Sequence, residues 1–502
     1  MGVFTRILKN LGAMFTGRLL TIVQQVIMPP VFIYRYSLAQ FGEWGVLSGA
    51  IAALAVLNFG VQTYMNQDLA VRYGRGEIEG YKVRQSTALR LLIGVILVAG
   101  TLALILFALP LDRWLKLDIG RRTAQLTAYL LAWQVLLNIL NSYVAGIFMG
   151  VRLAHRGAYW NNFQALLTAL CVLGCVALRL PFPVLAGVQV LTMSVTILLV
   201  LVDIRRTAPD IFPTLRYWDG RAVKDILKPS GYFGLLTVCT FLTYQAPLIV
   251  ITRTLGPVAV AGFIVMRQVF SMCRQILAMF TQSMGAEITA LFGRSDWTGL
   301  SRLYDYSERF IFFLIPVVNT AVLLLSPVLI TVWMHKRAEL FSPYPYVLSA
   351  AISMVISLKE HKYQFQFSTN THEELARTMF FSYIAMVAVS VMTVHLFGVV
   401  GFLWTWLVTE VVQMVRIVLL NKQLFLAFEP LEFTYLRRLV LICAAALFVA
   451  FAALNRTYAL PLLLQVAGGV GAGAILTMVA WPMFRVGEVV RRMTARFSRK
   501  FA

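Results

Sequence analysis

Charge is what this 502-residue sequence has least of: Asp, Glu, Lys and Arg make up 13% of it, against roughly 25% in an ordinary soluble domain. Acids are the scarcer sign, 22 against 44 Lys and Arg, for a net charge of +22. No polar stretch is long enough to fold as a soluble domain. Cysteine is also sparse, and all five (Cys171, Cys175, Cys239, Cys273, Cys443) lie in apolar runs, which excludes a disulfide framework and a zinc knuckle and assigns no metal site. No phosphate-binding loop for ATP is present. The glycine run 468-GGVGAG-473 has no preceding strand, and its Gly469-xxx-Gly473 spacing reads as a helix-packing surface. The basic residues surround no groove-reading motif, so nucleic acid is not an expected partner.

Long apolar runs are what is there. Hydrophobic residues make up 59% of the chain and mean hydropathy is +0.77. Runs of about 18 to 25 residues recur from end to end, the length that crosses roughly 30 Å of hydrocarbon as helix. The pattern predicts an all-α polytopic membrane protein with fourteen spans at 11–34, 41–66, 86–109, 123–149, 159–179, 182–203, 230–254, 258–285, 307–333, 344–368, 378–396, 400–421, 437–454 and 459–482. The first run lacks a small-residue cleavage site and is read as a retained span.

With fourteen spans both termini share a side. Of the 44 Lys and Arg, 27 fall on that side and ten on the other, so the positive-inside rule places both termini in the cytoplasm. The basic tail after Trp481 is expected to touch anionic lipid headgroups.

The chain also repeats. In 29-PPVFIYRYSLAQFG-42 and 247-PLIVITRTLGPVAVAG-262, Pro29 and Arg35 correspond to Pro247 and Arg253 at an offset of 218, while Gly74 and Arg75 correspond to Gly293 and Arg294 at 219. Two six-helix copies of like orientation follow: an N-terminal lobe at 1–204, a cytoplasmic linker at 205–228 and a second lobe at 229–422, with two further spans and the basic tail at 423–502. Such a duplication implies a pseudo-twofold along the membrane normal and a pathway between the lobes.

Seven basic residues remain inside or at the edges of spans: Arg18, Arg90, Arg267, Arg274, Lys359, Lys362 and Arg416. Arg267 and Arg274 in 265-VMRQVFSMCRQ-275 together oppose insertion by roughly 5–7 kcal/mol. Seven residues are nearly two helical turns, so the two guanidinia share a stripe about 10 Å long. Facing lipid, that stripe is prohibitive; facing a wet cavity, it is a surface for anions, phosphates above all, because a guanidinium fork binds two oxygens at once. Arg18, Gln24 and Gln25 on the first span, Lys359, Lys362 and Gln366 on one face of the tenth, and Arg416 on the twelfth are the further candidates. Two plainer readings stand beside this one: Arg274 and the lysines snorkel to the interface, or span 10 ends near Leu358 and 359–362 is a loop. Among the acids, Glu410 and Asp68 are candidates for a coupling Na+ or H+, and Glu410 equally for neutralising a buried arginine.

The segment 38-LAQFGEWGVLSGAIAALAVLNFGVQTYMNQDLA-70, with its Phe-Gly after the first span and Asn-Phe-Gly before a polar end, resembles the polysaccharide flippases of the multidrug/oligosaccharidyl-lipid/polysaccharide (MOP) exporter superfamily; 366-QFSTNTHEELA-376 is similar to the polar turn after their tenth span. The resemblance implies two six-helix lobes around a central cavity in a V-shaped arrangement, no catalytic residues, and transfer of an undecaprenyl-diphosphate-linked oligosaccharide, such as a lipopolysaccharide O-antigen unit, across the bacterial inner membrane. It implies cavity arginines on the first and eighth spans, matching Arg18, Arg267 and Arg274, and glycan polymerase or glycosyltransferase partners alongside membrane lipids. Fourteen spans resemble the peptidoglycan-precursor branch. Two rival functions are a multidrug or organic-cation exporter of the same superfamily, which wants an acidic cavity, and a membrane-embedded glycan-processing enzyme, which wants a paired-carboxylate site and a long outer loop.

Overall fold

The computed structural model describes residues 3–58, 60–150, 153–293, 295–334, 340–369, 371, 373–426, 434–457 and 461–491. Arg152, Arg294, Lys336, Arg337, Asn370, His372 and the basic tail from Arg492 onward lie outside the described residues.

Everything regular among the described residues is helical: α1 Val3–Arg35, α2 Leu38–Ile51, α3 Val61–Gly74, α4 Ile78–Leu102, α5 Leu111–Trp114, α6 Arg121–Gly150, α7 Ala154–Ala177, α8 Phe182–Thr207, α9 Gly220–Tyr244, α10 Ala246–Leu255, α11 Pro257–Ser283, α12 Gly285–Gly293, α13 Trp297–Trp333, α14 Pro343–Ser368, α15 Glu373–Leu426, α16 Thr434–Thr457 and α17 Leu462–Met483, with short 3-10 segments after α2, α4 and α8. A bilayer offers the backbone no hydrogen bonds, so apolar segments satisfy their own as helix. Twelve of these stretches are long and apolar enough to cross a membrane. Within that set α15 stands as one helix, but its 54 residues would make about 80 Å of straight helix. It breaks at Gly398, φ 63 and ψ −148, into two crossings. α14 supplies the fourteenth long helix and carries Lys359, Glu360, His361 and Lys362 in succession.

Polar caps set several helix starts. Ser37 Oγ accepts the Gln40 N–H at 3.0 Å and Asp296 Oδ1 accepts that of Gly299 at 2.8 Å, satisfying donors that a helix start leaves open. The repeat reappears in these boundaries. α2, α4 and α7 begin at Leu38, Ile78 and Ala154, and α11, α13 and α15 begin at Pro257, Trp297 and Glu373, an offset of 219 in each case.

Packing divides the chain into two compact units, Met1–Ala261 and Gly262–Ala502. The division falls within the first turns of α11, beyond α9 and α10, because α9 packs on α3 and α4 and α10 on α2. It therefore lies beyond the 205–228 linker that the repeat marks in the sequence.

In the first unit α1 packs on α7, and α6 on α3 and α8, around Met65, Tyr81, Leu136, Tyr143, Phe148 and Ile204. Lipid is as apolar as a leucine side chain, so close contact and polar ties must hold these helices together. Gly157 provides contact: a Cβ there would lie 2.4 Å from the Ala145 carbonyl oxygen. Asp203 provides a tie, accepting two bonds from Arg156 at 2.6 and 2.7 Å and one from Trp160 Nε1 at 2.8 Å.

In the second unit α13 packs on α14, α16 and α17, and α14 on α15. Phe312, Met354, Leu375, Ile417, Leu439 and Phe484 form one core, and Leu300, Tyr304, Phe365 and Phe425 part of another. On α17 the small-residue stripe meets α13, with Gly469 against Leu325 and Gly473 against Ala321. Its other side leaves Leu463 83% and Met478 74% exposed, the state of side chains that face lipid tails.

Glycine is required at the α15 break. The Gly398 dihedrals lie near a region essentially closed to residues with a Cβ, and a Cβ at Gly401 would sit 2.1 Å from the Thr393 carbonyl oxygen. Gly398→Ala should destabilise the protein by about 1–3 kcal/mol, read as a lower unfolding temperature in detergent. Gly471→Ala, with nothing within 4 Å of the added methyl, should leave that temperature unchanged.

Candidate functional site

The second unit holds two kinds of charge at membrane depth, and they differ in how they are compensated. The first kind is buried. Lys359 is 6% exposed, Lys362 1% and Glu410 0%. Lys359 Nζ donates to Tyr383 Oη at 2.8 Å, to Gln413 Oε1 at 2.7 Å and to Glu410 Oε2. Those acceptors use all three ammonium hydrogens. The other Glu410 oxygen accepts from Tyr383 at 2.9 Å and from Trp406 Nε1 at 3.0 Å. One turn on, Lys362 Nζ donates to Tyr304 Oη at 2.6 Å and to Glu308 Oε1. Around it Ser307 and His361 are bonded at 2.9 Å, and Gln366 donates to Asn421 Oδ1 at 2.7 Å.

Lys359, Lys362 and Gln366 therefore share one face of α14, as their spacing predicts, and α14 stays helical through 359–362, so that run is neither a loop nor snorkelling to an interface. The face is turned into protein. Each ammonium meets a carboxylate from another helix, α15 for Lys359 and α13 for Lys362. Glu410, considered as an ion-coupling group or as the neutraliser of a buried arginine, here neutralises a lysine.

The second kind stays partly open. Arg267 begins its side chain ten residues into α11, about 15 Å from the helix start and so near mid-bilayer. Its guanidinium lies over the Phe263 ring, 5.5 Å from the centroid, a geometry that favours a cation. Arg274 is two turns further along the same side. Its Nη1 lies 3.3 Å from Glu360 Oε1, and the two side chains keep 20% and 31% of their surface exposed. Gln268, half-buried beside Arg267, has an amide nitrogen with no hydrogen-bond partner. The arrangement is a cationic strip about 10 Å long, rich in donors, with a carboxylate at one end.

The remaining candidates lie elsewhere. Arg18, Gln24 and Gln25 are half-buried on α1 in the first unit, where Gln24 Nε2 donates to the Ala165 carbonyl at 2.8 Å and so joins α1 to α7. Asp68 accepts from Arg72 at 2.9 Å and lies 4.0 Å from Arg84. Arg416 pairs with Glu374 at 2.8 Å with 41% and 61% of the side chains exposed, which removes it from the strip. Sequence reasoning did not find Glu308, Tyr304, Tyr383 or Asn421. A signal for the first existed: two lysines one turn apart on a buried face demand two acids, and Glu308 is among the few close to the spans.

Comparison with solved structures gives the fold a context. The chain is similar to a lipid II flippase, MurJ, in an inward closed conformation, at 11% identity over 95% of this chain and 99% of that one, with a TM-score of 0.67. It is similar to a multidrug resistance MATE family transporter of the MOP superfamily in an inward-facing conformation, at 16% identity over 84% and 95% with a TM-score of 0.63. A MOP superfamily transporter from Pyrococcus furiosus matches at 14% identity over 90% and 96%, TM-score 0.55. The chain thus has the fold of MOP superfamily transporters. No family model and no curated protein matches its sequence.

Breaking a buried pair leaves an uncompensated charge, which costs about 3–5 kcal/mol, whereas apolar replacement of both partners is often neutral. Lys359→Met and Glu410→Leu should each destabilise the protein strongly, and the double variant should recover most of the loss in thermal unfolding. Additive losses would mean that the two side chains do not act as a pair.

Proposed function

We propose that this protein is a lipid-linked-glycan flippase of the bacterial inner membrane, carrying an undecaprenyl-diphosphate-linked oligosaccharide from the cytoplasmic to the outer leaflet by alternating access. The observation that carries the reading is the strip on α11, where Arg267 and Arg274 share one side of a membrane-depth helix beside the donor-rich Gln268. A diphosphate offers oxygens over a few ångströms, and two guanidinia two turns apart can hold it from both ends. The prenyl chain needs no polar site because it remains in lipid.

Two further points support the reading over an organic-cation exporter. In the second unit Glu308, Glu360 and Glu410 are each engaged by a cation of the protein itself. The similarity to the lipid II flippase also extends over more of the chain than that to the multidrug transporter, 95% against 84%. Lys359 and Lys362 pass from substrate contact to scaffold in this reading, because an anion there would have to displace a buried carboxylate. The same holds for a coupling sodium ion at Glu410, which would have to displace the Lys359 ammonium; Asp68 is held by Arg72. Arg18, Gln24 and Gln25 remain secondary candidates for the glycan, and a glycan polymerase or glycosyltransferase is a natural neighbour for a carrier of lipid-linked glycan. Both termini lie in the cytoplasm.

Replacing Arg267 or Arg274 with Ala should cut export at least tenfold, since a charge-assisted hydrogen bond contributes about 1.5–3 kcal/mol, and the double variant should accumulate lipid-linked glycan on the cytoplasmic face. Normal export by a stably inserted double variant would overturn the assignment. For orientation, a single cysteine at Ser295 should resist impermeant maleimide in intact cells while one at Ser37 reacts; labelling of both would overturn the topology.

A further inference from the structure

We propose that Glu360 is the built-in counter-ion of the α11 strip: it holds Arg274 when no anion is bound, and an arriving diphosphate displaces it with uptake of one proton. The inference rests on the diphosphate reading of α11 and adds the regulation of that site.

Three observations place Glu360 in this role. First, its contact with Arg274 is looser and wetter than the neighbouring pairs: Nη1 to Oε1 is 3.3 Å with both partners partly exposed, whereas Lys359–Glu410 and Lys362–Glu308 are sealed by aromatic and amide groups. Second, Glu360 spends only one oxygen on the pair. Its Oε2 is enclosed and has no hydrogen-bond partner among the described residues, a costly state for an anion and one that a proton relieves. Third, the acid is placed between fixed charges. Arg274 of α11, Lys359 beside it on α14 and Glu410 of α15 are its electrostatic neighbours; Lys362, two residues on, is held by Glu308 and Tyr304 of α13, and His361 between them is bonded to Ser307. Lys359 and Lys362 are already committed to Glu410 and Glu308, so Glu360 has no second lysine to move to when Arg274 is taken.

The sequence of events balances in charge. With the site empty, Arg274 and Glu360 neutralise each other. When diphosphate oxygens take the Arg274 N–H groups, a free carboxylate would be left beside a new anion at low dielectric, and it accepts a proton from water on the open side. Leaving reverses the step: as the diphosphate departs, Glu360 loses its proton and recovers Arg274. Each binding event thus carries one proton, and acid favours loading.

The test uses the purified full-length chain in lipid nanodiscs, with farnesyl diphosphate esterified to N-acetylglucosamine as the probe, a diphosphate diester that does not itself titrate near neutral pH. Calorimetry in buffers of differing ionisation enthalpy should show uptake of one proton per ligand at neutral pH, and wild-type affinity should fall about tenfold per unit rise in pH, the slope of one linked proton. Glu360→Gln, whose amide leaves Arg274 available, should bind at least as tightly as the wild type at acid pH and lose the pH slope. Arg274→Ala should bind weakly with no slope. No proton uptake by the wild type, or a slope that persists in Glu360→Gln and so points to His361, overturns the role of Glu360 while leaving the diphosphate reading intact. No binding of this diester by the wild type at any pH overturns that reading and this inference together. The calorimetric count needs no variant, so it stands even if a substitution fails to fold.

Discussion

A charge can stay at membrane depth only where something replaces the water it gave up, and the second unit of this protein is organised around that requirement. Two replacements are used. Lysine is enclosed: Lys359 and Lys362 each present a compact ammonium to a carboxylate, with Tyr383, Gln413 and Tyr304 filling the remaining directions. Arginine is left ajar: Arg267 lies over an aromatic face, and Arg274 beside a carboxylate that holds it at 3.3 Å. The division follows side-chain chemistry. A small strongly hydrated ion is expensive to leave half-dry, whereas a broad guanidinium tolerates partial desolvation.

The enclosed pairs also shape the unit. In lipid the burial of apolar surface does little to choose one helix neighbour over another, so polar ties carry more of the specificity. α14 receives Glu308 from α13 on one turn and Glu410 from α15 on the adjacent turn. A slip of α14 by one residue against either partner would leave buried ions unmatched, at a cost of several kcal/mol. The pairs therefore set register, and the strip on α11 is presented against a helix that cannot slide. Glu360 sits on that same helix, which fixes where Arg274 finds its partner.

Length and periodicity made the helices legible: apolar runs separated by short polar links correspond to the fourteen long helices. The break at Gly398 was legible too, because two glycines in 396-LFGVVGF-402 interrupt a run too long for one crossing. Side-chain pairing was not. The spacing of Lys359, Lys362 and Gln366 establishes a common face but not what that face meets, and a cationic stripe toward water reads the same as one toward two acids. Glu308 was harder to read: it stands twelve residues into α13 next to Arg309, at the very start of the predicted span 307–333, and only the demand of two buried lysines for two acids points to it. Arg267 and Arg274 were legible as a pair because their cost is intrinsic to one helix.

The duplication sharpens the contrast between the two copies. At the offset of 219 shared by the helix starts, Arg267 corresponds to Ser48, Arg274 to Ala55 and Glu308 to Leu89. The local structure differs as well: α11 remains α-helical through both arginines, while its counterpart passes into a 3-10 segment at Ala52–Asn58. An unwound turn would rotate the second guanidinium off the stripe, so the regular helix is what keeps the two arginines on one side. Among the described residues the first copy buries charges of its own, Glu43 and the Asp203 that Arg156 holds, but at the corresponding positions it lacks the arginine stripe and the lysine–carboxylate pairs of the second. A frame common to both copies with different charges inside it is the pattern expected when duplication supplies the scaffold and later substitution in a single copy alters its polar contacts.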